Sequence, residues 1–252
     1  MKPKIHVSVS GNGPAIVYLH GFLETHEIWK DFTSGITDFS HYAFDLPGFG
    51  KSDLLVEKFT LEDIAKIIKE ETDYLKLTNF HLVGHSLGGY VALTFLKLFP
   101  EKVRSLTLFH STTLPDSEEK KENRTKTIHF IEENGVEIFA KNFVKPLFAD
   151  SNHPSIIFVQ NLALQAKKEI VQAYLAAMRD RMDNTETLIL SKKPSLVILG
   201  EKDAVINPVQ LKQALKNNPE IEISLLVSSG HMGMFEEPEL TSELLNNFFR
   251  RN

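Results

Sequence analysis

The feature that most constrains this chain is a serine flanked by glycines at positions 84–88, where the sequence reads GHSLG. Residues 80–83 form a short, mostly apolar run typical of a buried strand, and residues 87–98 repeat apolar side chains at helical spacing. A serine at such a junction occupies a tight turn that exposes its hydroxyl at the sheet edge. Glycines two residues before and after it let the strand and helix approach without Cβ clashes. The sequence therefore predicts a strand–turn–helix unit that presents Ser86 as a nucleophile.

Strand-like and helix-like segments alternate along much of the chain. A helix predicted to begin near Leu61 has Thr60 as its N-cap and Asp63 placed to complete a capping box. This alternation predicts an α/β protein with a mostly parallel sheet flanked by helices, and function at the carboxyl ends of the strands. The predicted strands are 5–9, 15–19, 41–44, 80–83, 105–109, 195–199 and 221–227.

The strand patterns stop between Thr112 and Lys193. Helical patterns replace them, and the charged run at 117–126 is typical of a solvated helix or hinge. About eighty residues without a strand, inside a strand–helix alternation, favour a helical insertion over a loop. We therefore expect a core domain formed by 1–111 and 194–252, with a helical insertion at 112–193.

The composition excludes several classes of protein. The 252 residues suffice for one large domain, the net charge is −5, and scattered Lys and Arg residues argue against a nucleic-acid partner. The absence of cysteine excludes disulfides and thiolate metal sites. No apolar run is long enough to cross a bilayer, and residues 1–6 lack the apolar core of a secretion signal. We expect a cytoplasmic protein without a membrane partner, and we assign it no metal or cofactor.

A serine nucleophile needs a histidine base, which in turn needs a carboxylate to orient it. His231 follows the last predicted strand, in the stretch SSGHMGM at 228–234. Asp203 follows the strand before it and is preferred over Asp116 and Glu201, because the loop after the preceding strand has no early carboxylate. The resulting order along the chain, serine then aspartate then histidine, is that of elbow-type hydrolases. The histidines assigned structural or surface positions include His6, His41 and His81.

Two backbone N–H groups are candidates for binding an oxyanion. The turn after the strand at 15–19 reads His-Gly-Phe, and its glycine lets the Phe22 N–H point toward the serine. The Leu87 N–H, at the first turn of the helix after Ser86, is the second candidate. Each such donor contributes on the order of 3 kcal/mol to stabilisation of a tetrahedral intermediate.

Taken together, these residues resemble the α/β-hydrolase superfamily over nearly the whole chain. The resemblance implies a sheet of about eight strands with a helical cap, or lid, inserted after the sixth, and by this correspondence the cap is the segment at 112–193. It assigns the segment at 45–52 to a structural turn with no catalytic role. The matching landmarks are the His20–Gly21 turn and the motifs at 45–52 (DLPGFGKS), 84–89 (GHSLGG), 200–203 (GEKD) and 230–231 (GH).

Within this superfamily, the serine at the elbow excludes chemistry that uses an aspartate nucleophile. Menaquinone-synthesis enzymes carry an arginine shortly after the elbow, where this chain has Gly89 and Tyr90. C–C bond hydrolases typically place a tryptophan soon after the catalytic histidine, where this chain has MGMF at 232–235. Both remain alternatives, as does a slow-turnover small-molecule receptor. The preferred prediction is hydrolysis of a carboxyl ester or related acyl bond of a small, largely apolar substrate.

The pocket for such a substrate is predicted to be lined mainly by apolar side chains. Arg179 and Arg181 are the cap residues that would bind a charged substrate, although solvent-facing positions are the simpler expectation for both. The oligomeric state is left open. The candidate lining residues are His20, Phe109, Leu114, Phe139, Phe143, Met178 and Met234.

Overall fold

The structure, a computed structural model, describes residues 3–53 and 58–252. Met1 and Lys2, part of the segment used to predict the compartment, lie outside the described residues. Seven strands form one sheet in the order β1-β3-β2-β4-β5-β6-β7. Their bounds are β1 Val7–Gly11, β2 Ala15–Leu19, β3 Ser40–Phe44, β4 Phe80–His85, β5 Val103–Phe109, β6 Ser195–Gly200 and β7 Ile221–Leu226.

The sheet is parallel except at one edge, where β1 runs antiparallel to β3 with Val7 opposite Phe44. Every residue of β4 and β6 is buried, as expected for central strands of a parallel sheet covered on both faces. The carboxyl ends of β4, β5, β6 and β7 therefore meet along one edge of the sheet, and the candidate site residues follow these ends.

The prediction of eight strands with the insertion after the sixth is wrong for the described residues. The sheet has seven strands, and the insertion follows the fifth. Residues 4–6 pair with a loop instead of adding a strand, because the Asp45 N–H donates to the His6 carbonyl (3.0 Å) and the Asp53 N–H donates to the Lys4 carbonyl (2.9 Å). The backbone groups that a further strand would use are thereby satisfied.

Helices cover the sheet, and the predicted capping box begins the first of them. The Asp63 N–H donates to Thr60 Oγ1 (3.2 Å), and the Thr60 N–H donates to the Asp63 carboxylate (2.9 Å). The helix after the elbow, α2, packs against β2, β4, β5 and α1. Outside the insertion the helices are α1 Leu61–Tyr74, α2 Leu87–Leu98, α8 Pro208–Leu215, α9 Gly233–Glu236 and α10 Pro238–Arg251.

The insertion between β5 and β6 is helical, as predicted. Its first helix runs through the charged segment and begins after Ser117, whose side chain accepts the Lys120 N–H. The Tyr174 hydroxyl donates to the Pro47 carbonyl (2.9 Å), which ties the insertion to the turn after β3. Its helices are α3 Glu118–Asn134, α4 Val136–Phe143, α5 Ser155–Ala163, α6 Lys168–Arg179 and α7 Thr185–Leu190. Among the described residues, we find no helix with the length and apolar character to span a membrane.

Candidate active site

Ser86 occupies a sharp turn between β4 and α2. Its backbone has φ 50° and ψ −114°, a strained conformation for a residue with a side chain. The turn requires its glycines: a β-carbon on Gly84 would lie 2.3 Å from the Gly88 carbonyl oxygen, and one on Gly88 would lie 2.2 Å from the Leu19 carbonyl oxygen. The Ser86 N–H donates to the Phe109 carbonyl (3.0 Å), which holds the turn against the end of β5.

Asp203 and His231 are joined across the ends of β6 and β7. His231 Nδ1 lies 2.8 Å from Asp203 Oδ2, and the two side chains are 3% and 1% exposed. The second carboxylate oxygen, Oδ1, accepts the N–H groups of Val205 (2.7 Å) and Ile206 (2.9 Å). Burial would raise the pKa of Asp203, but electrostatic interactions with the His231 and His110 imidazoles hold it well below its usual range. The aspartate is therefore ionised and oriented toward the imidazole.

The loop that carries His231 is fixed by contacts on several sides. The His231 N–H donates to the Leu147 carbonyl of the insertion (2.7 Å), and the His231 carbonyl accepts His85 Nε2–H (2.9 Å). The Glu236 carboxylate accepts the Gly230 N–H (2.9 Å). Because His85 directly precedes Ser86, and its ring centroid lies 5.0 Å from that of His231, the loop lies beside the elbow.

The turn after β2, which carries Phe22, is tied to the elbow by a buried ion pair that the sequence analysis did not find. Glu24 Oε2 lies 2.9 Å from His85 Nδ1 and accepts the Gly21 N–H (2.6 Å). Burial opposes both charges, yet the pKa of Glu24 is lowered by His85 and the Gly21 hydrogen bond, and the pKa of His85 is raised by Glu24. Both candidate oxyanion donors, Phe22 and Leu87, therefore lie on segments that this pair joins.

Two of the candidate pocket residues, Phe139 and Phe143, pack with Phe22 above that turn. The Phe22 ring centroid lies 5.6 Å from that of Phe143 and 6.3 Å from that of Phe139, and the last two are 5.3 Å apart. Phe139 and Phe143 belong to α4, so the insertion covers the turn with aromatic side chains.

The other candidate pocket residues have contacts elsewhere. His20 is fully buried, and its Nε2 accepts the Leu46 N–H (2.9 Å), so it braces a turn. The Phe109 ring packs on Trp29 in the core, with centroids 6.0 Å apart. Met178 Sδ lies 3.6 Å from Arg124 Nη1. The Leu114 carbonyl accepts the Arg181 Nε–H (3.1 Å). Met234 lines a cavity of about 650 Å³ together with Ile28 and Phe235.

The expectation that Arg181 faces solvent is wrong. Its side chain is 5% exposed, its Nη1 lies 2.7 Å from Asp116 Oδ1, and its guanidinium stacks on Tyr90 at 4.2 Å from the ring centroid. Asp116 also pairs with Arg124. Arg179 is partly exposed and pairs with the neighbouring Asp180 (2.8 Å). Both arginines therefore have carboxylate partners within the chain.

A cavity of large volume lies away from the candidate active site. A cavity of about 910 Å³ lies between the start of α1, α2 and α6, and none of Ser86, Asp203 and His231 lines it.

Two sets of side chains bring metal-ligating atoms within 4.8 Å of one another in the described part of the chain. They are His6, His26 and Asp45, and His110, Asp203 and His231.

Comparisons with known proteins agree with this architecture. Residues 14–130 match the family model for the alpha/beta hydrolase fold. A solved structure of a thermophilic esterase from Thermogutta terrifontis superimposes with a TM-score of 0.92 at 28% identity, covering 99% of this chain and 94% of that one.

Curated sequences with other activities are also similar. A 2-hydroxy-6-oxononadienedioate/2-hydroxy-6-oxononatrienedioate hydrolase from Burkholderia vietnamiensis is 25% identical, covering 98% of this chain and 91% of its own length. A dihydrolipoyllysine-residue acetyltransferase component of an acetoin cleaving system from Pseudomonas putida is 28% identical over 95% of this chain, which spans 64% of that protein's length. The elbow, the sheet and these similarities make this chain a member of the α/β-hydrolase superfamily.

Proposed function

We propose that this protein is a serine hydrolase that cleaves a carboxyl ester or related acyl bond of a small, largely apolar substrate through an acyl-enzyme. The observation that carries the proposal is the hydrogen bond between buried Asp203 and His231, on a loop held beside the strained turn at Ser86. A strained turn that exposes the serine and an ionised carboxylate on a histidine are two features of sites that activate a serine hydroxyl.

In the proposed mechanism, neutral His231 accepts the proton of Ser86 as Oγ attacks the substrate carbonyl. The oxyanion of the tetrahedral intermediate is bound by the N–H groups of Phe22 and Leu87, and the start of α2 adds positive potential there. His231 then protonates the leaving alcohol and later activates the water that hydrolyses the acyl-enzyme. Asp203 holds the imidazole tautomer and stabilises the imidazolium.

We assign residues 112–193 to a cap over a core formed by 1–111 and 194–252. Two contacts support this division. The rings of α4 cover the Phe22 turn, and the Leu147 carbonyl binds the His231 N–H. A cap with these contacts would shield the acyl-enzyme from bulk water and supply an apolar wall for the acyl group.

The electrostatics of the insertion favour a neutral substrate. Arg181 is buried on Asp116, and Arg179 pairs with Asp180, so neither guanidinium is left unpaired for a substrate carboxylate. The aromatic group of Phe22, Phe139 and Phe143 suits an apolar acyl chain.

The test is turnover of p-nitrophenyl esters and thioesters of increasing acyl length by the wild type and by Ser86→Ala. We expect the variant to lose about 10⁴-fold or more in kcat. Ser105→Ala is the matched control, because Ser105 is another buried serine, and its hydroxyl bonds to His81 on the neighbouring strand (2.7 Å) and to no other described residue. Wild-type turnover by Ser86→Ala would falsify the proposal.

C–C bond hydrolysis is the second candidate, and the similarity to the Burkholderia vietnamiensis hydrolase supports it. The same nucleophile and base would then act on a ketone of a dienoate. Loss of the dienone absorbance on incubation with the protein, with no ester turnover, would favour this activity. Covalent capture in a single turnover without steady-state turnover would favour a receptor instead.

A further inference from the structure

His110 is a buried histidine at the centre of the candidate site for which the proposed mechanism has no role. It follows β5, next to the residue whose carbonyl binds Ser86, and its own N–H donates to the Ile198 carbonyl of β6 (2.8 Å). Its side chain is fully buried, and its backbone φ of 46° is unfavourable for a residue with a side chain. The fold thus holds this imidazole in place at a conformational cost.

The contacts of the His110 ring define its tautomer. The Gly233 N–H donates to His110 Nε2 (3.2 Å), and a ring nitrogen that accepts a hydrogen bond carries no proton. Burial lowers the pKa of His110 to about 4, so the ring is neutral. The single ring proton is therefore on Nδ1.

The carboxylate near that proton belongs to Asp203. His110 Nδ1 lies 3.5 Å from Asp203 Oδ2, the same oxygen that is 2.8 Å from His231 Nδ1. The distance is long for a hydrogen bond, and His110 Nδ1 makes no hydrogen bond of normal geometry to any described residue. The charged or titratable groups around the His110 ring are Asp203 at the end of β6, His231 after β7 and His85 at the end of β4.

We propose that His110 is a positioning residue that acts through Asp203, its Nδ1–H fixing the carboxylate rotamer and reducing the negative charge that Asp203 presents to His231. This inference rests on the proposed roles of Ser86, Asp203 and His231. A fixed N–H dipole stabilises the carboxylate without competing for the proton that His231 receives from the serine. Asp203 is then weakly basic, so the proton stays on the histidine and returns to the leaving group.

Replacing the His110 Nδ1–H donor should shift the pH profile of the enzyme, which a loss of packing alone would not do. In His110→Leu, Asp203 presents more charge to His231, which then holds a proton to higher pH. We expect the acidic limb of the kcat/KM profile to move up by about half a pH unit. We also expect kcat/KM at neutral pH to fall about tenfold per active site, the lower range for a hydrogen bond to a charged group.

The rescuing variant is His110→Asn. An Asn amide places its N–H near the position of Nδ1, and Asn tolerates a positive φ. We expect the acidic limb of the kcat/KM profile of this variant to lie at the same pH as that of the wild type. His110→Gln, whose carbonyl can accept the Gly233 N–H but whose amide does not match Nδ1, should shift the limb as Leu does and serves where the Leu variant does not fold. His81→Asn is the control, because His81 is equally buried and contacts Ser105 instead.

The measurement is the pH dependence of ester hydrolysis, with active sites counted by a fluorophosphonate. The inference would be overturned if the acidic limb of kcat/KM stayed at the wild-type pH in both the Leu and the Gln variants. It would also be overturned if the limb of the Asn variant moved as far as the limbs of those two variants. Long-range proton–nitrogen NMR of the imidazole rings gives an independent test, since an Nε2–H tautomer at His110 would also refute it. An active Ser86→Ala variant signals failure of the proposed function instead.

Discussion

Neutralising Glu24 should show how much its buried ion pair with His85 contributes to stability. In Glu24→Gln, His85 loses the carboxylate at 2.9 Å, and the Gly21 N–H loses a charged acceptor at 2.6 Å. The Glu24 and His85 side chains are 2% and 0% exposed, so water cannot replace these contacts. Removing one partner of a buried ion pair costs about 3 kcal/mol or more. For a domain of this size, that lowers Tm by about 6–12 °C.

The pH dependence of this loss follows from the two pKa shifts. The pKa of Glu24 lies below its ordinary 4.5, so its contribution is present above pH 4.5 and is lost as pH falls through the lowered pKa. The pKa of His85 lies above its ordinary 6.5, so its contribution is present below pH 6.5 and is lost as pH rises through the raised pKa. The gap in stability between wild type and variant should therefore be largest between pH 4.5 and pH 6.5.

Differential scanning calorimetry from pH 4 to pH 9 at constant ionic strength measures this gap. Asp73→Asn is the matched control, because Asp73 also pairs with two cations, Lys69 and Lys102, but is 42% exposed. Solvent screening should leave that variant close to the wild type. A Tm of Glu24→Gln within 2 °C of the wild type, or a Tm difference independent of pH, would refute the assignment of a charged pair.

Three further variants test packing, charge and specificity. Gly88→Ala should lose about 3 kcal/mol or more, since its β-carbon would lie 2.2 Å from a carbonyl oxygen of β2; a melting curve like that of the wild type contradicts this. Asp116→Asn leaves the buried Arg181 without its carboxylate and should cost about 3 kcal/mol in urea unfolding; an unchanged midpoint argues against that pair. Phe143→Ala removes a ring 5.6 Å from Phe22 and should lower kcat/KM about tenfold for long acyl esters but little for acetate; equal losses for all chain lengths would exclude an acyl wall there.

Much of the fold followed from local pattern. The elbow was predictable because the glycine spacing and the change from strand to helical periodicity occur within twenty residues of sequence (80–98). Positions at strand ends also located Asp203 and His231, which the structure joins by a hydrogen bond. The strand count was wrong because it came from a resemblance, whereas the backbone of residues 4–6 bonds to the loop at 45–53.

The periodicity of apolar residues in the sequence does not predict contacts between distant segments. Glu24 and His85 are 61 residues apart, and neither lies in a pattern that marks it as charged and buried. His110 was passed over because its loop was searched for a carboxylate, although its position after a central strand is the same signal that identified Asp203. The burial of Arg181 depends on Asp116, a pairing that charge composition does not reveal.

Two buried histidines lie against the same base, and their partners shift their pKa values in opposite directions. His85 has a carboxylate of its own, Glu24, which raises its pKa. His110 shares Asp203 with His231 at a longer distance and stays neutral. A protonated His110 would compete with the His231 imidazolium for one carboxylate, whereas a neutral donor does not. In the proposed mechanism, the proton from Ser86 would therefore have a single acceptor, His231, which is the condition for returning it to the leaving group.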